Sequence, residues 1–192
     1  MSGVKFILLC EDKQTNAFVR RFLKCRNLDL RDITTLPLPD GSQSGEQWVR
    51  QRYPRELKSI RSRQNARLIV VTDADSGSTE NRRKQLDREC IDQNIACRTD
   101  DDRVFVIIPR RNIETWLAYL DGTTVNENEN YPRLHRERDC RPHVGKLFKM
   151  CQENRLCQPV PPSLSDACRE YRRSGQWRQA AFGRPVDRSL WF

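Results

Sequence analysis

The sequence is poor in histidine, in lysine and in long apolar runs, and each shortage removes a class of protein. His135 and His143 are its only histidines, both in the polar C-terminal third. No Gly-x-Ser-x-Gly elbow occurs, so a serine or cysteine hydrolase triad has no support. No apolar stretch approaches the length of a membrane span, and Val4–Cys10 is too short for the apolar core of a signal peptide. The expectation is a cytoplasmic chain, whose eight cysteines are then reduced. None of them forms a C-x-x-C pair. His135, Cys140, His143, Cys151 and Cys157 gather towards the C-terminus, at gaps that match no standard zinc framework. A Walker motif and a full dinucleotide fingerprint are also missing.

What is present is arginine. Of the 35 basic residues only seven are lysine, and the formal charge is +9. Guanidinium groups match phosphate bidentately, so the balance suits a polyanionic partner, although solvated surface alone also accounts for such charge. A length of 192 residues suits one domain, or one domain with a helical annex.

The most informative stretch is Leu68-Ile69-Val70-Val71-Thr72-Asp73-Ala74-Asp75-Ser76-Gly77. Its aliphatic, β-branched run reads as a fully buried strand that stops at two carboxylates. If the chain stays extended, Asp73 and Asp75 share a face about 7 Å apart. Such a pair suits a divalent cation with oxygen preference. A turn or helix cap at Asp75-Ser76-Gly77 is the structural alternative.

Around it the pattern alternates. Lys5–Cys10 reads as a first strand, followed by a helix capped at Thr15 or Asn16 with Ala17, Phe18, Phe22 and Cys25 on its apolar face. Ile33–Leu36 reads as a second strand ended by Pro37 and Pro39. Asp40–Gly45 is a Gly/Ser loop, of a kind that can cradle phosphate or simply connect. A helix from Glu46 to about Arg61 follows, facing Trp48, Val49, Tyr53, Leu57 and Ile60 inward, with Pro54 as a break or kink. Glu80–Asn94 reads as a surface helix with Leu86, Cys90 and Ile91 inward. Val104–Ile108 is the next strand, and Asn112 caps a helix over Ile113–Leu120 that closes at Asp121-Gly122. The stretch 123–142 reads as an exposed polar loop, Val144–Glu153 as a helix, and two helices follow, one capped by Ser163 or Ser165 and a short one around Trp177–Phe182.

Strand–helix alternation predicts an α/β fold: a central, mainly parallel sheet of about four strands flanked by helices, over residues 1–122. Residues 123–192 form a polar loop and C-terminal helical annex. In such a sheet the strand carboxyl ends share one edge. Glu11, Asp73, Asp75 and Glu114 then converge on one crevice, with Lys13, Arg110 and Arg111 beside them. Carboxylates for Mg²⁺ or Mn²⁺ next to cations suit phosphoryl transfer. An acid in the first helical turn is the alternative reading of Glu114.

Leu8-Leu9-Cys10-Glu11 and Val70-Val71-Thr72-Asp73-Ala74-Asp75 together resemble the Toprim domain of topoisomerases, bacterial primases, RNase M5-like maturation nucleases and the OLD-type nucleases of phage defence. Ile108-Pro109-Arg110-Arg111-Asn112-Ile113-Glu114-Thr115-Trp116-Leu117 is similar to the segment after the last strand in small OLD-like Toprim proteins. The resemblance spans roughly residues 4–121. It implies a Toprim-like (Rossmann-like) fold, Glu11 as general acid/base or metal ligand, Asp73 and Asp75 as ligands, and Glu114 as a ligand of a second ion. Lys13 and Arg111 are the candidate catalytic cations. Asp12 stands where the family commonly has glycine, and is a candidate extra ligand. Ser165-Asp166 resembles a downstream acid of the OLD-type enzymes.

The chain is too short for a topoisomerase or a primase, and Tyr53, Tyr119, Tyr131 and Tyr171 have no strand-passing setting. A small Mg²⁺- or Mn²⁺-dependent nuclease is the expectation, with DNA placed before RNA as substrate. Arg110, Arg133, Arg136, Arg138 and Arg141 are the candidates for holding the nucleic acid, with Arg169, Arg172 and Arg173 in support. The resemblance also implies an ATPase partner, as in two-gene antiviral defence systems. A non-catalytic nucleic-acid-binding or sensor subunit, and an RNase M5-like RNA-processing nuclease, are the alternatives.

Overall fold

A computed structural model describes residues 4–37 and 44–182, with side chains as far as Arg173. Strand β1 (Lys5–Cys10) leads into helix α1 (Lys13–Cys25), strand β2 (Ile33–Thr35), helix α2 (Gly45–Arg61), strand β3 (Ala66–Val71), helix α3 (Thr79–Asp92) and strand β4 (Val104–Ile107). Helices α4 (Ile113–Leu120), α5 (Arg141–Gln152) and α6 (Pro162–Phe182) follow. The four strands form one sheet in the order β2-β1-β3-β4, and every pairing is parallel. The expected α/β class and flanked parallel sheet are therefore observed, with a Rossmann-like layering.

Alternation along the strands explains the layers. Ile7 and Leu9 of β1 pack with Val49, Tyr53, Leu57 and Ile60 of α2 and Leu86 and Cys90 of α3. The intervening Leu8 and Cys10 pack with Val19 and Leu23 of α1 on the opposite face. All six residues of β3 are buried, as a central strand covered on both faces requires. Each fully buried aliphatic side chain contributes about 1.5–3 kcal/mol. A second cluster joins Phe18 of α1 to Trp116, Leu117 and Leu120 of α4, Val144 and Leu147 of α5, and Leu164 and Cys168 of α6. Helix α5 and the described side chains of α6 thus pack on the α1 side of the sheet.

Local departures from expectation have local causes. The cap of α1 is Asp12, whose carboxylate accepts from the Thr15 amide at 2.8 Å, rather than Thr15 or Asn16. Helix α2 runs through Pro54, whose lost hydrogen bond is offset by a face of buried Val49, Tyr53, Leu57 and Ile60. Ile91 points outward at 64% exposure, and Arg82 takes an inward position on α3 instead. Helix α6 is continuous where two helices were expected, because Ser174-Gly175 weakens a helix without terminating it. Asn112 occupies the cap position of α4 without a capping side-chain hydrogen bond. Gly122, at φ +94, closes α4. Asp40–Gln43 of the Gly/Ser loop lie outside the described residues. No helix among the described residues is long and apolar enough to cross a membrane.

Candidate active site

The chain runs from β1 outward to β2, then crosses back to β3 on the other side of β1. The topological switch point therefore lies between β1 and β3, where open parallel sheets leave a crevice at the strand carboxyl ends. Cys10 pairs with Val71, so the residues that follow, Glu11 and Thr72, emerge side by side.

Glu11 is fixed there by two donors to one oxygen. Its Oε1 accepts from the Thr72 hydroxyl and, at 2.8 Å, from the Asp73 amide. Burial pushes its carboxyl up to about 7, against those two hydrogen bonds and with the Asp75 charge adding to the rise. Asp73 has no hydrogen-bond or ion-pair partner for its side chain among the described residues. Burial raises its carboxyl well above the usual range, and the charges of Glu11, Asp12, Glu114 and Asp75 raise it further. One carboxyl without a cation thus sits among four others.

Asp75 does not continue the extended alternation. Its φ of +54 is left-handed, a conformation aspartate tolerates better than most residues. Its carboxylate is turned to Arg82 of α3, with Oδ2 at 2.9 Å from Nη2. The expectation that Asp73 and Asp75 share a strand face is therefore corrected: the strand ends at Val71, and the chain turns within four residues. Arg82 is buried and also donates to Glu46 and to Gln85 (2.8 Å). A cleft of about 550 Å³ between α2 and α3, lined by Glu46, Arg50, Asp75, Arg82 and Glu89 among others, opens beside this pair.

Glu114 is buried in the first turn of α4 and reaches the same crevice. Its Oε1 accepts from Gln14 Nε2 at 2.8 Å and from Arg133 Nε at 2.9 Å. Arg133 also donates to Asp12, so one guanidinium spans two acids of the crevice. Of the other cations expected there, Lys13 is exposed and makes no contact with the acids. Arg110 and Arg111 turn to the polar loop, donating to Asn128 Oδ1 (2.9 Å) and Asn130 Oδ1 (2.8 Å). Arg136, Arg138 and Arg141 are exposed.

Among the described residues, no three histidine, cysteine, aspartate or glutamate side chains stand ready to hold a metal ion. The reason is visible in the pairs just given: Arg82 draws Asp75 aside, and Arg133 and Gln14 engage Glu114. The C-terminal Cys/His set is likewise dispersed. His143 pairs with Asp121 at 2.9 Å, and Cys151 meets Cys168 rather than Cys140 or Cys157. Asp166 pairs with Arg169 at 2.6 Å, on the surface.

Sequence reasoning missed Gln14, Gly45, Glu46, Thr72 and Arg82 as parts of this site. Gly45 carried a signal, since it opens α2, but not the reason for being glycine. A Cβ there would lie 2.7 Å from the Glu11 carbonyl oxygen and 2.9 Å from the Glu11 Cβ. Close approach of α2 to the end of β1 therefore requires glycine. Gly45→Ala is expected to cost about 1–3 kcal/mol, the usual range for forced overpacking, and to displace Glu11. Thermal denaturation of the variant checks this; an unchanged melting temperature would show that the contact is not restrictive.

The fold and the crevice define an α/β protein with an acidic site at the switch point of a parallel sheet. No protein family, curated protein or solved structure matches the chain.

Proposed function

We propose that the chain is a divalent-metal-dependent nuclease of the Toprim type, hydrolysing phosphodiester bonds with DNA placed before RNA. One observation carries the reading: the carboxyl of Asp73 has no cationic partner, yet lies within the field of four further acids. A carboxylate held among other acids without a cation of its own is costly unless one enters. All the donors are carboxylate oxygens, which suits Mg²⁺ or Mn²⁺. Mg²⁺ typically takes one or two protein carboxylates and keeps several waters, so the lack of a ready three-ligand group is compatible with it.

Asp73 is the residue best placed to hold the ion, with Glu11 beside it, and Asp75 and Glu114 as further ligands once released from Arg82 and Arg133. Bound there, the ion would supply Lewis acidity at a phosphoryl oxygen and charge stabilisation at the leaving oxygen. Glu11, with its carboxyl near 7, is poised to take or give a proton at neutral pH. Thr72 and the Asp73 amide keep the Glu11 carboxyl in place. The exposed Arg136, Arg138 and Arg141 are available to follow a nucleic-acid backbone. An ATPase partner in an antiviral system rests on the resemblance alone.

A non-catalytic nucleic-acid-binding subunit is the second reading, favoured by the arginines that tie up Asp75, Asp12 and Glu114. Incubating the purified chain with supercoiled plasmid and with structured RNA, in Mg²⁺ or Mn²⁺ and in EDTA, separates the two. Metal-dependent cleavage that Asp73→Asn abolishes supports the nuclease, and the preferred substrate distinguishes defence from RNA processing. Salt-sensitive binding without cleavage, retained in Asp73→Asn, supports the binding subunit.

A further inference from the structure

We infer that Arg133 is an internal cation that occupies the Asp12–Glu114 side of the crevice, and that divalent metal must displace it to load the site fully. The inference rests on the metal-dependent reading above and adds a competitor to it. Arg133 lies in the polar stretch after α4, far in sequence from Asp12, yet it contacts both Asp12 and Glu114. Glu114 is buried, and its side chain is only 5% exposed. Arg133 itself is 64% exposed, so its guanidinium reaches the acids from solvent and can leave without opening the core. A positive group spanning two carboxylates meets the same electrostatic demand as a cation between them. Metal and Arg133 therefore exclude one another at Glu114.

The segment that carries Arg133 is built to return it. Arg110 and Arg111 hold Asn128 and Asn130, the Asn126 amide donates to the Tyr131 hydroxyl, and Glu127 accepts from the Ser163 amide at 3.0 Å. The two arginines expected to face substrate thus anchor the strap that delivers a third. Loading the crevice would loosen the Arg133 end of this strap and leave its Glu127 end in place.

The experiment is Mn²⁺ binding, followed by calorimetry, in wild type, Arg133→Ala, Arg133→Lys and Arg155→Ala. The last removes the same charge from an exposed arginine with no acid partner in the crevice. Arg133→Ala is expected to bind Mn²⁺ about tenfold or more tightly than wild type, since a competitor of the order of an ion pair with two acids is gone. Arg155→Ala is expected to stay within about twofold, and Arg133→Lys to fall between. Amide exchange across 126–134 should rise on adding Mn²⁺ to wild type and already be raised in metal-free Arg133→Ala. Equal affinity in Arg133→Ala and Arg155→Ala overturns the competition and leaves the metal reading intact. Absence of Mn²⁺ binding in all four proteins overturns both. Binding in Arg133→Ala alone is the strongest support.

Discussion

Asp73→Asn is expected to raise the stability of the metal-free protein and at the same time to abolish Mg²⁺-dependent cleavage. The wild-type carboxyl is partly buried, lacks a cation and lies within the fields of Glu11, Asp12, Glu114 and Asp75. Ionising it there costs free energy that an amide does not incur, and the amide can donate to its acidic neighbours. A gain of about 1–3 kcal/mol, the usual penalty of a buried polar group left without a partner, follows, or about 2–12 °C in melting temperature at this size. On the metal-dependent reading proposed above, the same change removes the best-placed ligand oxygen, so cleavage should fall by about a thousandfold. Millimolar Mg²⁺ should raise the wild-type melting temperature and leave that of Asp73→Asn unmoved, because only a ligand that binds the folded state stabilises it. Lower stability of Asp73→Asn in EDTA would mean that Asp73 has a structural partner, and the acidic crevice would lose its main argument.

The contrast between Asp73 and Asp75 shows how far the sequence could be read. Strand β3 was legible because six consecutive buried residues leave a continuous apolar run, and its exit acid was placed correctly at the sheet edge. Nothing in Asp-Ala-Asp announces that the chain turns at once, with Asp75 left-handed and facing α3. Arg82 was hidden for a related reason: an arginine in a polar helix reads as surface, and its burial depends on Glu46 of α2 and Asp75 after β3 arriving beside it, with Gln85 one turn along the same helix. Arg133 was read as a free phosphate contact, and its pairing with Asp12 spans 121 residues, beyond any local pattern. Gly45 belongs to the same group, since its need for glycine comes from the distant backbone of Glu11. Local periodicity located the strands, most of the helices and the edge at which the acids meet. Which acid is tied and which is unpaired is a property of packing.

That distinction leads to Glu11. In the folded protein burial holds its carboxyl near 7, whereas in an unfolded chain it titrates near 4.5. Between these values the folded state carries a proton that the unfolded state has lost. On this group's account, stability therefore falls as pH rises from about 5 to about 7.5, and levels above that. The loss should be about 1–3 kcal/mol, discounted for partial exposure. Metal binding runs the other way, because a carboxylate and not a carboxylic acid is the ligand, so Mn²⁺ affinity should tighten across the same window. Glu11→Gln keeps a carbonyl oxygen for Thr72 and the Asp73 amide, so the strand ends should stay in place. It cannot exchange a proton. Cleavage should drop about 10²- to 10⁴-fold, the usual contribution of a positioned acid or base. The decline of metal-free stability between pH 5 and 7.5 should flatten. Denaturant melts at several pH values, run on wild type and Glu11→Gln in EDTA, read this directly. An identical slope in the two proteins would show that Glu11 does not titrate in that window, and would move the proton-handling role to another group of the crevice.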